Sequence, residues 1–228
     1  MTVQTSTINF ASGTKTLPAY QALPEGAGPF PAVVVIHEAF GLNDNVKEVA
    51  RRFAAEGYAA LAVDLFYGRN RAVCMAQLMG GMLLNSLDHR GIHELKAALD
   101  YFSAQPFVDP QRVGAIGFCM GGGFAIAWAC TDPRLKVIAP FYAANPRPLE
   151  AARRLCPVVG SYPADDFTAA QGRKLDEFLD TCNVPHDIKI YPGARHSFFN
   201  DQNPRAHHPQ AAADAWERVI TFFKQQLS

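Results

Sequence analysis

Arg112-Val113-Gly114-Ala115-Ile116-Gly117-Phe118-Cys119-Met120-Gly121-Gly122-Gly123-Phe124-Ala125-Ile126-Ala127-Trp128-Ala129 is the stretch that decides how this chain folds. An apolar, β-branched run enters a glycine-punctuated turn, and a helical pattern follows at once, so Cys119 stands at the tip of a strand–turn–helix. A residue at so sharp a turn takes strained φ and ψ angles. Gly117 and Gly121, two before and two after it, remove the Cβ atoms that would collide there. The N–H groups and positive dipole end of the following helix face the sulfur and favour thiolate over thiol. Cys119 is therefore a candidate nucleophile; the alternative is a small buried cysteine whose glycines let helix and strand pack closely.

The surrounding chain alternates strands with helices. Ala32-Val33-Val34-Val35-Ile36 has the continuous β-branched character of a strand buried on both faces, followed by His37-Glu38-Ala39-Phe40-Gly41 and a helix over 45–56 closed by Gly57. A second buried strand spans 58–65. Helices are predicted over 72–85, with Gly80-Gly81 as a weak point, and over 90–104. Beyond Ala129 come strands at 137–142, 157–160 and 187–191, a helix over 169–181 and a closing helix over 210–226. Residues 3–10 and 16–22, joined by a turn-rich segment, predict a hairpin at a sheet edge. The pattern calls for an α/β fold in one domain over residues 1–228: a mostly parallel sheet flanked by helices on both faces, with functional groups at the carboxyl ends of its strands.

Composition narrows the function. With 49% hydrophobic and 18% charged residues the chain is globular, and Lys plus Arg balances Asp plus Glu at 21 each. No basic block offers a surface for nucleic acid or an anionic membrane. Five cysteines without a C-x-x-C pair argue against a disulfide framework and against a zinc knuckle, and no H-x-x-x-H spacing points to a metal. The expected substrate is a small molecule, with no metal and no cofactor. A cytoplasmic monomer or homodimer is expected, because the first residues lack a charged and apolar leader pattern and no apolar run approaches membrane-spanning length.

A nucleophilic cysteine needs a base, and an orienting acid for that base. Among seven histidines, His196 alone lies on a glycine-containing loop between the last strand and the closing helix. Asp165 and Asp166 both qualify as the acid, since each follows a strand and lies between Cys119 and His196; the alternative for either is a residue that starts the next helix. Glu38 is the unusual feature. It precedes the loop whose Ala39 N–H, with that of Met120, would stabilise a developing oxyanion, so its carboxylate would lie near the sulfur and accept or control the thiol proton. Low-dielectric surroundings would raise its pKa for that task. The alternative is an exposed glutamate paired with Lys47, Arg51 or Arg52.

The turn resembles G-x-S-x-G, the nucleophile elbow of the α/β-hydrolase fold, with cysteine in the serine's place. Together with Val33 through Glu38, Gly57 through Leu65, and His196-Ser197-Phe198, it makes nearly the whole chain similar to the dienelactone hydrolase family. The resemblance implies a Cys119–His196–Asp166 triad, Glu38 as activating carboxylate, and hydrolysis of a lactone or ester through an acyl-cysteine. Asp166 is selected over Asp165 because Pro163-Ala164-Asp165-Asp166 matches the family's G-x-x-D pattern, with proline in the glycine's place. Family arginines that grip a substrate carboxylate have no clear match: one position is Asn200, and Arg69, Arg71 and Arg90 compete for the other. Phe40, Phe118, Phe198, Tyr67 and Arg69 are the expected substrate-binding residues, with Tyr142, Phe199 and the segment 74–84 as further wall. A carboxylesterase or thioesterase with side activity on phosphoesters is the alternative enzyme. A redox sensor that uses Cys130 or Cys156 to resolve Cys119, or a domain that only binds a ligand, is the non-catalytic alternative.

Overall fold

In the computed structural model, which describes residues 2–67 and 70–228, eight strands form one sheet in the order β1-β2-β4-β3-β5-β6-β7-β8. The strands are β1 (Val3–Ser12), β2 (Lys15–Pro24), β3 (Phe30–Ile36), β4 (Ala59–Val63), β5 (Val108–Phe118), β6 (Leu135–Phe141), β7 (Val158–Pro163) and β8 (His186–Tyr191). β1 pairs antiparallel with β2, and β2 antiparallel with β4; every other neighbour is parallel. This is the α/β-hydrolase arrangement with an N-terminal hairpin.

The β-branched run of β3 explains why the sheet is covered twice. Ala32, Val34 and Ile36 enter one apolar cluster and Val33 and Val35 the other, because successive side chains point to opposite faces. Helices α2 (Arg71–Leu84), α3 (Arg90–Ser103), α4 (Met120–Ala129) and α5 (Thr168–Cys182) cover the first face. Helices α1 (Asp44–Ala55) and α6 (Pro209–Gln226) cover the second.

Two differences from the sequence reading have physical causes. α2 runs unbroken through Gly80-Gly81, because a Cβ on Gly81 would lie 2.8 Å from that of His89; the missing side chain lets α2 rest on the start of α3. β7 extends to Pro163, three residues past its expected end, where Tyr162 and Pro163 pair with Ile190 and Tyr191. A short 3-10 helix, Leu149–Arg154, also fills the connection before β7.

The chain moves from β3 to β4 on one side and returns to β5 on the other. β3 is thus a topological switch point, where loops diverge and leave a crevice at the carboxyl ends of the strands. Register then aligns the site: Ile36 pairs with Gly117, so Glu38 and Cys119 both lie two residues beyond paired positions on adjacent strands.

Candidate active site

Cys119 caps α4 with φ 55° and ψ −116°, a conformation that side chains rarely adopt. Its neighbours show why the turn needs glycine. A Cβ on Gly117 would lie 2.1 Å from the Gly121 carbonyl oxygen, and one on Gly121 would lie 2.5 Å from that of Ile36. The second contact presses the elbow against the end of β3, beside Glu38 and Ala39. Cys119 N–H donates to the Phe141 carbonyl at 3.0 Å, which ties the elbow to the end of β6. Among the described residues no acceptor takes the N–H of Met120 or of Ala39, so both donors remain available.

His196 meets Asp166, whose Oδ2 accepts a hydrogen bond from Nδ1. The same carboxylate accepts from Thr168 N–H at 3.3 Å and from Thr168 Oγ1 at 2.9 Å. It therefore holds the imidazole and the start of α5 together. Asp165 is exposed. Burial opposes positive charge on His196, but its interactions with the Cys119 sulfur and with Asp166 outweigh that and raise its pKa to about 9. The exposed ring of Phe167 stacks on His196 with centroids 5.8 Å apart and planes inclined by 13°.

Glu38 is 3% exposed and, among the described residues, has no basic side chain as a hydrogen-bonding partner. Tyr142 donates its hydroxyl to Oε1 at 2.6 Å, and Ser197 donates to Oε2 at 3.2 Å. Burial raises the Glu38 pKa above the usual carboxylate range, opposed in part by Tyr142, Ser197, His196 and Asn200. The salt-bridge alternative is overturned: Lys47 pairs with Asp44, Arg51 pairs with Glu48, and Arg52 lies over the Trp216 ring. His37 fixes the glutamate's backbone. Its Nε2 accepts from Leu65 N–H at 3.1 Å, so Nδ1 carries the proton and donates to the Glu38 carbonyl at 2.6 Å.

Two of the five non-glycine residues with positive φ among those described, Tyr142 and Ser197, bond to this carboxylate, and a third is Cys119 itself. The Tyr142 ring also lies 4.9 Å from that of His196. Sequence reasoning missed the Tyr142 and Ser197 contacts with Glu38; only the adjacency of Ser197 to His196 signalled the second.

The expected substrate-binding residues are not brought together. Phe118 and Phe198 are buried in an aromatic cluster with Phe141, which corrects their assignment to the pocket: Phe118, the last residue of β5, packs into the second apolar cluster. Tyr67 lies beneath the Arg90 guanidinium, 4.7 Å from its ring centroid, and Arg90 is itself bonded to Glu94, Gln77 and the Leu65 carbonyl. Phe40 is exposed in the loop after β3. Arg69 lies outside the described residues. Burial pushes the thiols of Cys130 and Cys156 up to about 12, so neither is poised as a resolving thiolate. Among the described residues no cluster of His, Cys, Asp or Glu could hold a metal, and no helix is long and apolar enough to cross a membrane.

The family model for dienelactone hydrolases matches residues 17–227. The chain belongs to the dienelactone hydrolase family. A protein of Saccharolobus solfataricus named "Putative carboxymethylenebutenolidase" is 34% identical, over 91% of this chain and 93% of its own length. Among solved structures, a dienelactone hydrolase-like promiscuous phosphotriesterase from metagenomic libraries is 28% identical, with a TM-score of 0.88 over 99% of both chains. An acylaminoacyl peptidase of Pyrococcus horikoshii shares the fold at 15% identity and a TM-score of 0.81; it covers all of this chain, which spans 42% of the peptidase. In this dienelactone hydrolase family member the elbow, the Asp166–His196 pair and Glu38 occupy one end of the sheet.

Proposed function

We propose that this protein hydrolyses small lactones or activated carboxylic esters through an acyl-cysteine intermediate. The carrying observation is Cys119 on a strained elbow, interacting with a histidine that Asp166 holds by hydrogen bond. The Cys119 thiolate attacks the substrate carbonyl and forms an S–C bond, while the oxyanion rests on the N–H groups of Met120 and Ala39. The C–O bond to the leaving group breaks, and His196 gives that oxygen its proton. Acylation consumes the thiolate, one of the interactions that favour the charged ring, so His196, having given up its proton, stays neutral and available as a base. It then takes a proton from water, whose oxygen attacks the thioester; the S–C bond breaks and the acid leaves. Glu38, buried beside this pair, receives or withholds the thiol proton.

The test is Cys119→Ala assayed on a short-chain p-nitrophenyl ester, with circular dichroism to check the fold. Turnover is expected to vanish with the fold intact; undiminished turnover would refute the nucleophile. A second reading, side activity on aryl phosphotriesters, is favoured by the 28% identical neighbour described as a promiscuous phosphotriesterase. Pure enzyme that releases no p-nitrophenol from such a triester, at concentrations where the ester turns over, would remove it.

A further inference from the structure

Next to the catalytic end of the sheet lies a groove of about 450 Å³. Met79, Met82, Leu83, Leu149 and Phe167 supply its apolar lining, and among the described residues its charged lining is two cations, Arg147 and Lys174. Two contacts join it to the site described above. Phe167 stacks on His196, and Met82 packs on the elbow helix so closely that a Cβ on Gly123 would lie 2.3 Å from its methyl carbon. Leu83 and Phe167 are 60% and 75% exposed, so the groove presents large apolar side chains to solvent with nothing covering them.

The wall that carries Arg147 is fastened at two points. Buried Ser86 accepts from Arg147 N–H and donates to the Arg147 carbonyl, both at 2.8 Å. Two residues before it, Asn145 donates from its backbone N–H to Gln171 Oε1 at 3.3 Å and from Nδ2 to the Gln171 carbonyl at 2.9 Å. The side chains of Arg147 and Lys174 make no ion pair or hydrogen bond with the described residues, and both are exposed. A largely apolar groove thus runs from Phe167, the ring stacked on His196, to two positive charges that no described residue pairs.

We propose that this groove binds one arm of the ester substrate, and that the preferred arm is an apolar chain ending in an anion. The inference rests on the hydrolase reading and names its substrate class: half-esters of extended dicarboxylic acids, or of chains that end in another anionic group. The chain covers Leu83 and Phe167 and removes their apolar surface from water, while Arg147 and Lys174 meet the terminal charge. Among the described residues no carboxylate in the lining opposes that charge, so selectivity comes from one sign of field over a mostly apolar path.

The experiment compares p-nitrophenyl hydrogen suberate with p-nitrophenyl octanoate, which differ only in the terminal carboxylate. Wild-type enzyme is expected to prefer the anionic ester in kcat/KM, and Arg147→Glu/Lys174→Glu to reduce the anionic-to-neutral ratio by about tenfold or more. Added salt should shrink the wild-type ratio as well. A ratio that the double variant leaves unchanged overturns the proposal, although hydrolysis of both esters keeps the hydrolase reading intact. A second readout needs no turnover: calorimetric titration of Cys119→Ala protein with monomethyl suberate, which has one free carboxylate, and with methyl octanoate, which has none. Tighter binding of monomethyl suberate that disappears with the charge reversals supports the groove even if neither p-nitrophenyl ester is cleaved, and the hydrolase reading then falls alone. Equal binding of the two methyl esters overturns the groove.

Discussion

Tyr142 donates its hydroxyl hydrogen to Glu38 Oε1 at 2.6 Å, joining the ends of β6 and β3 across the elbow that separates them. Tyr142→Phe leaves a buried carboxylate with one fewer donor. A hydrogen bond to a charged group contributes about 1.5–3 kcal/mol, so a stability loss of that order is expected in urea unfolding at neutral pH. The loss should shrink in acid, where Glu38 is protonated. An unchanged midpoint together with unchanged kcat/KM would show that the contact does not matter.

Glu38→Gln is expected to raise stability and lower activity. Burial places the folded-state pKa of Glu38 above its ordinary 4.5. Its contribution to stability is therefore greatest below about pH 4.5 and falls as pH rises through the folded-state value. Glutamine keeps the shape and an acceptor for Tyr142 but carries no charge, so that decline should flatten. Stability measured from pH 4 to 8 checks the sign; a steeper decline in the variant would contradict it.

His196 should titrate near pH 9 in the resting protein, followed by NMR of its ring carbon. Cys119→Ala removes one of the interactions that raise this value, and the midpoint should fall toward the ordinary 6.5. Because the folded-state value lies above that of a solvated imidazole, the group's stabilising contribution is fully present below about pH 6.5 and is lost as pH rises through about 9. A midpoint that does not move in the variant would mean that sulfur and ring do not interact.

Asp166→Asn and Asp165→Asn separate two adjacent carboxylates. The first weakens the hold on His196 and should lower kcat by about three orders of magnitude or more. The second alters an exposed side chain and should change kcat less than twofold. Equal effects on ester hydrolysis would count against the assignment.

Gly121→Ala places a methyl group 2.5 Å from the Ile36 carbonyl oxygen and 2.6 Å from that of His37. Both are backbone atoms and cannot step aside. A loss above about 3 kcal/mol is expected, seen as insoluble protein or a sharply lowered thermal midpoint.

The parts legible in the sequence are those written in contiguous residues. The β-branched run of β3, the glycines about Cys119 and the loop carrying His196 each state a local geometry, and strand ends collect them at one edge of the sheet. Tyr142 and Ser197 carry no such pattern. Their relation to Glu38 depends on strand register and on backbone at positive φ, which no local spacing encodes. Phe118 and Phe198 misled for the opposite reason: close in sequence to site residues, they are buried in the aromatic cluster about Phe141, and nothing in their spacing distinguishes a core ring from a pocket ring. Gly80-Gly81 looked like an interruption because glycine disfavours helix in isolation, whereas contact with His89 decides the matter here.

The hydroxyls that hold Glu38 are uncharged and buried, so dissolved ions do not weaken that hold. Arg147 and Lys174 stand in solvent, where ionic strength acts fully. The readiness of the nucleophile should therefore be indifferent to salt while the choice of substrate responds to it, and one titration with sodium chloride separates chemistry from recognition in the same molecule.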